Sequence, residues 1–110
     1  MKPVRLAAEA ARELNEAADW YEARQPGLSD RFLAEFDDLL PLIRRHPAAF
    51  PCLQEVPTGL EVRRALMSVF PYALIFLELK RDIRVIAVAH TSRRPGYWIY
   101  RVRSGFGNQR

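Results

Sequence analysis

A single cysteine, Cys52, stands in the 110 residues. No intramolecular disulfide can form and no thiolate cluster can hold a metal, which fits a reducing cytoplasm. Cys52 itself reads as a small, partly buried hydrophobe. Histidine is nearly as scarce. His46 and His90 lie too far apart in sequence to offer metal-ligand spacing, so no metal and no cofactor is expected. Five glycines form no phosphate-cradling loop, and no Gly-x-Ser-x-Gly elbow occurs. Long apolar runs are missing too. The longest is interrupted by Glu78, Lys80 and Arg81, well short of a membrane span. Met1 to Ala11 contains no apolar stretch of the kind that opens a secreted protein, so a cytoplasmic protein with no membrane contact is expected.

Acidic residues are scarce in one half only. Up to Val62 there are 7 basic against 11 acidic residues, a net charge of −4. From Arg63 onward only Glu78 and Asp82 oppose 10 basic residues, a net of +8. Lysine is nearly absent, so this positive charge is almost all arginine. Such an asymmetric field favours an anionic partner near the C-terminal half, either nucleic acid or an acidic protein segment. What the chain does have is a core. Apolar residues make up 49% of it, enough for one packed domain and too many for a disordered chain.

The periodicity predicts the elements in order. Pro3 to Leu6 suits a short edge strand. Ala7, Ala10, Ala11, Leu14, Ala17, Ala18 and Tyr21 recur at spacings of three and four, one face of a helix over Ala7 to Arg24. Gln25-Pro26-Gly27 stops it. A second helix begins at Leu28 or Ser29 and carries the stripe Leu28, Phe32, Phe36, Leu39, Leu40 and Ile43. It ends before His46-Pro47, and Pro41 should kink it. So short a link predicts an antiparallel helical hairpin. Ala48 to Gly59 is a loop, and the period then changes to two. Val62 to Val69, Tyr72 to Leu79 and Ile83 to Ala89 read as strands, the last two apolar on both faces and therefore central. The order β-α-α-β-β-β predicts an α+β domain with the hairpin packed on a mainly antiparallel sheet. Residues 1–98 read as one domain, and residues 99–110 as a basic tail expected to fray.

A cluster of side chains carries whatever chemistry there is. Arg63 and Arg64 alternate across their strand, so only one can face a given partner. His90, Arg93, Arg94, Tyr97 and Trp98 follow the last strand and meet Arg64 if the strands are neighbours. Guanidinium groups clamp phosphate or carboxylate. Tyr97 and Trp98 can stack on a base or instead seal the sheet as an apolar lid. His90 reads either as a satisfied structural histidine or as a proton carrier.

Several of these segments resemble one family. They are Glu13-Leu14 through Asp19-Trp20-Tyr21-Glu22, Pro26-Gly27-Leu28 with Phe32, Ile43 with Pro47, Val62-Arg63-Arg64, and Phe70-Pro71-Tyr72-Ala73-Leu74-Ile75-Phe76. Most specific is Ile86-Ala87-Val88-Ala89-His90-Thr91-Ser92-Arg93-Arg94-Pro95-Gly96-Tyr97-Trp98. Together they resemble the ParE/RelE toxin superfamily, over about residues 6–98. The resemblance implies the toxin of a type II toxin–antitoxin pair, of the plasmid-stabilisation kind. It implies neutralisation by a cognate antitoxin in a hetero-oligomer, and a fold of the same β-α-α-β-β-β order. RelE-like members cut mRNA on the ribosome, whereas ParE-like members poison DNA gyrase. Arg63 or Arg64, Arg93 or Arg94, and Tyr97 match positions of the RelE-type catalytic set, which leaves His90 or Tyr97 for the proton work, but its second-strand arginine falls at Ala73 and is missing. Arginine is also a poor general base. The ParE-like branch is therefore favoured, with Arg63, Arg64, Arg93, Arg94, Tyr97 and Trp98 as residues that bind target or antitoxin. A ribosome-dependent endonuclease and a nontoxic antitoxin-binding member are the alternatives.

Overall fold

The computed structural model describes residues 1–54, 56 and 59–103, with Arg103 placed by its backbone. The elements are β1 (Val4–Leu6), α1 (Ala8–Arg24), α2 (Leu28–Arg45), a 3-10 turn (Pro47–Ala49), β2 (Val62–Leu66), β3 (Tyr72–Glu78), β4 (Ile83–His90) and α3 (Ile99–Arg103). This is the expected β-α-α-β-β-β order with one short helix added. The four strands form a single sheet in the order β1-β4-β3-β2. β1 runs parallel to β4, and the other two pairings are antiparallel.

The alanine stripe places α1 close to the sheet. Ala10, Ala17 and Ala18 are buried, and with no bulk between them helix and strands approach closely. Gly27 turns the chain into α2 with φ 88°, a left-handed conformation that glycine adopts without strain. No side chain of the turn caps α2. Glu22 on α1 does so instead. Its carboxylate accepts the Gly27 N–H at 3.0 Å, the Ser29 N–H at 3.1 Å and the Ser29 hydroxyl at 2.7 Å. These bonds, the one from the Gly27 N–H foremost, hold the Glu22 carboxyl below its ordinary pKa. A negative charge there also suits the positive end of the helix dipole. Pro41 does not end α2, which continues to Arg45. The proline is exposed.

The helical hairpin covers one face of the sheet. Phe32 is fully buried and meets Phe70 and Tyr72 edge-on, with ring centroids 5.2 Å and 5.3 Å apart. Burial of one such side chain contributes about 2–3 kcal/mol. The opposite face has its own core, made of Val62, Ala73, Ile75, Leu77, Ile86, Trp98 and Val102. This second layer explains why β3 and β4 are apolar at nearly every position.

Most element ends fall within one residue of those read in the sequence, but several features differ. β2 stops at Leu66 rather than Val69, because the Glu35 carboxylate gathers the backbone N–H groups of Ser68, Val69 and Phe70 into a turn. β4 contains a bulge. Ile75 faces Ala87 while Phe76 faces Val85, which leaves Ile86 without a cross-strand partner. Ile86 and Ala87 therefore join the second core, whereas Val85 and Val88 join the first. Residues 99–103, the start of the expected tail, form α3, and Val102 is only 2% exposed. The rest of that segment, 104–110, lies outside the described residues. Cys52 is exposed rather than partly buried. It forms an isolated bridge to Arg63 because Pro51 to Leu53 lies along the outer edge of β2.

Candidate functional site

Strand alternation sends Arg63 and Arg64 to opposite faces of the sheet. Arg63 lies opposite Phe76 on the hairpin side. There its guanidinium donates to the Phe50 carbonyl at 2.8 Å and to Glu61 at 3.1 Å. It ties β2 to the chain before it and lies away from the other candidates. Arg64 lies opposite Ile75 on the other face. On that face a groove is floored by Ala73, Ile75 and Ala89. Arg64 and Leu66 line it together with Arg93, Arg94, Tyr97 and Trp98, and His90 also reaches it. The end of the sheet thus brings together every candidate except Arg63. Arg64 and Arg94 are both exposed, and among the described residues neither guanidinium has a hydrogen-bond or ion-pair partner.

The turn after β4 shapes the second wall. Gly96 adopts φ 79°, and the Ile99 N–H donates to its carbonyl at 2.9 Å, which starts α3. Trp98 is 5% exposed, so it acts as the apolar lid and not as a stacking platform. Arg93 lies over the Tyr97 ring, 3.8 Å from its centroid. The His90 ring packs edge-on against Tyr72 at 5.1 Å. Its Nδ1 accepts the Ser92 N–H at 3.1 Å and faces the Ser92 hydroxyl at 2.7 Å. The backbone N–H can only donate, so the neutral ring carries its proton on Nε2.

The sequence gives little notice of the residue that organises this end of the molecule. Glu13 of α1 accepts the Tyr97 hydroxyl at 2.6 Å, the Val88 N–H at 3.0 Å and the Arg101 guanidinium at 2.8 Å. Arg93 lies 3.6 Å from the same carboxylate. Burial works to raise the Glu13 pKa. The hydrogen bonds from Arg101, Tyr97 and Val88 outweigh it and hold the carboxyl below its ordinary range. Burial comes first in raising the Tyr97 pKa, followed by the hydrogen bond and negative charge of Glu13, so the phenol keeps its proton. Burial also works against the charge on Arg101. The bonds to Glu13 and Tyr100 prevail and keep it firmly protonated. Glu13 lies three residues after Ala10 and four before Ala17, beside the packing stripe, a spacing that does not set it apart from a solvated acid. Arg101 lies four residues after Tyr97, one turn on if the segment is helical.

Chemically, the groove offers fixed positive charge over an apolar floor. The Tyr97 hydroxyl and the Nδ1 of His90 are already engaged. No group of three or more potential metal ligands occurs among the described residues. No helix among them is long and apolar enough to cross a membrane.

Comparison with known proteins gives concordant results. The family model for the ParE toxin of the type II toxin-antitoxin system parDE matches residues 4–95. Among solved structures, a chain of the chromosomal ParDE toxin–antitoxin system from P. aeruginosa superposes with a TM-score of 0.72 at 16% sequence identity. The match covers 84% of this chain and 98% of that one, and at this identity it speaks for the fold. No curated protein matches by sequence. With a family match over most of its length and the fold to accompany it, the chain belongs to the ParE toxin family of type II toxin–antitoxin systems.

Proposed function

We propose that this toxin acts by binding a bacterial target, DNA gyrase, through the cationic groove between Arg64 and Arg94. A cognate antitoxin neutralises it by laying an acidic, amphipathic segment over that groove and the apolar surface beside the helices. The observation that carries this reading is the convergence of two guanidinium groups, 30 residues apart in sequence and without a partner among the described residues, on one groove. Guanidinium groups in this setting favour carboxylate or phosphate, and the apolar floor adds contact area. Binding rather than cleavage is supported by the state of the proton carriers. The Tyr97 hydroxyl donates to Glu13, and the Nδ1 of His90 is taken by Ser92. RNA cleavage through the 2′-OH needs a free proton acceptor as well as a donor, and neither of these two atoms is free to accept.

The test is gyrase supercoiling with purified protein. The wild type is expected to inhibit supercoiling and to trap cleaved DNA, while Arg64→Glu with Arg94→Glu restores activity. Untouched supercoiling at high molar excess overturns the gyrase target. Ribosome-dependent cuts in primer extension after induction would assign the chain to the endonuclease class instead. Full growth on induction without antitoxin would identify a nontoxic member.

A further inference from the structure

We propose that Glu13 and Arg101 are the positioning pair of the cationic groove: they set where Arg94 stands relative to Arg64 without lining the groove themselves. The role of the groove rests on the preceding proposal, whereas the positioning rests on geometry alone.

The reason lies in the length of β1. This strand is only three residues long, and its last rung to β4 is the Ala7 N–H donating to the Val85 carbonyl at 2.9 Å. β4 runs on to His90, so its next two edge groups, the Ile86 carbonyl and the Val88 N–H, face no strand. Both residues are buried, and bare backbone there would be costly. Arg101 donates to the Ile86 carbonyl at 2.9 Å, and Glu13 accepts the Val88 N–H at 3.0 Å. A further residue of a parallel strand would make the same two bonds, donating to one residue and accepting from the residue two positions on. The ion pair therefore completes the sheet in place of backbone.

The same carboxylate grips the wall of the groove. It holds the Tyr97 hydroxyl, and Arg93 approaches both it, at 3.6 Å, and the face of the Tyr97 ring, at 3.8 Å. The Tyr97 N–H donates to the Arg94 carbonyl, so fixing Tyr97 fixes the backbone that carries Arg94. A rigid strand edge is thereby linked to an exposed cation through two residues. Glu13 suits this task because its side chain is only 13% exposed, whereas Glu16 and Asp19 on the same helix face water.

The test is a double-mutant cycle with a fluorescein-labelled deca-aspartate peptide as probe, read by anisotropy. Arg94→Glu should weaken binding about tenfold in the wild type and less than about twofold in the Glu13→Gln background. Arg44→Glu, on α2, should have the same effect in both backgrounds. General loosening of the fold does not produce that selectivity. If Glu13→Gln loses cooperative unfolding, Tyr97→Phe carries the same cycle, because it removes only the hydroxyl. Equal effects of Arg94→Glu in both backgrounds overturn the positioning role. No effect of Arg94→Glu in the wild type overturns the groove and the positioning together. The cycle contains neither gyrase nor antitoxin, so a negative supercoiling result leaves it intact.

Discussion

The Tyr97 hydroxyl donates to the Glu13 carboxylate at 2.6 Å across 84 positions of sequence. This bond joins the first helix to the segment after the last strand. It also decides what Tyr97 can do, since a phenol bound to a carboxylate, with its pKa raised, is no general base near neutrality.

Tyr97→Phe removes that bond and leaves the ring in place. A hydrogen bond to a charged acceptor contributes about 1.5–3 kcal/mol, so the variant should unfold at lower urea by a corresponding amount. Unchanged stability would show that water replaces the phenol without loss.

The pH dependence follows from the directions of two shifts. The Glu13 pKa is lowered in the fold from an ordinary value of 4.5. Its contribution is complete above that value and is lost as pH falls through the lower folded one. The Tyr97 pKa is raised above 10.0, so the contribution of the neutral phenol is complete below 10 and is lost as pH rises towards the folded value. Glu13→Gln should destabilise the protein near neutrality by about 2–4 kcal/mol, because it leaves Arg101 half-buried without its counter-charge. The gap between the two proteins should narrow as pH drops below the ordinary carboxylate value. Thermal unfolding of both across that range checks the sign, and a gap that widens in acid contradicts it.

Glu35 fills a concave turn lined by the N–H groups of Ser68, Val69 and Phe70. Glu35→Ala hands those donors to water, since Ser68 and Val69 are exposed, and should cost about 0.5–1.5 kcal/mol. Formate or acetate should restore part of the lost melting temperature, and sodium chloride at equal ionic strength should not. Equal recovery in both salts would mean that no specific anion position exists there.

At Gly96, a Cβ would lie 2.8 Å from the Ile99 Cδ1. That atom is the end of a flexible side chain and can yield. The left-handed backbone cannot, so Gly96→Ala should destabilise by about 1–2 kcal/mol. The loss should persist when Ile99 is shortened to Val. Rescue by Ile99→Val would trace the cost to crowding instead.

Antitoxin binding offers an electrostatic check. Arg64→Glu or Arg94→Glu should weaken the complex about tenfold and make its salt dependence shallower, since fewer favourable charges remain to be screened. An unchanged affinity and slope would remove the groove from that interface.

Much of the fold was legible because its signals are local. The alanine stripe of α1, the aromatic stripe of α2 and the two-sided apolar strands follow from period alone. So does the opposite placement of Arg63 and Arg64, which strand alternation imposes. The bulge at Ile86 was not legible. It comes from fitting two layers to one strand, and Ile86-Ala87-Val88 reads as apolar under either register. α3 escaped for a similar reason, since five residues of mixed character carry no usable periodicity and are held by Val102 and Arg101 against distant partners. Glu13 resembled any solvated acid of an amphipathic helix. Its role depends on where β1 stops, and no local pattern records that.

The side-chain plug at Ile86 and Val88 has a consequence for solubility. A strand offered by an unfolding neighbour cannot add to this stretch of the sheet without first expelling a guanidinium and a carboxylate, each bonded to the other. β4, one of the two largely apolar central strands, is thus shielded from templating fibrils along that stretch.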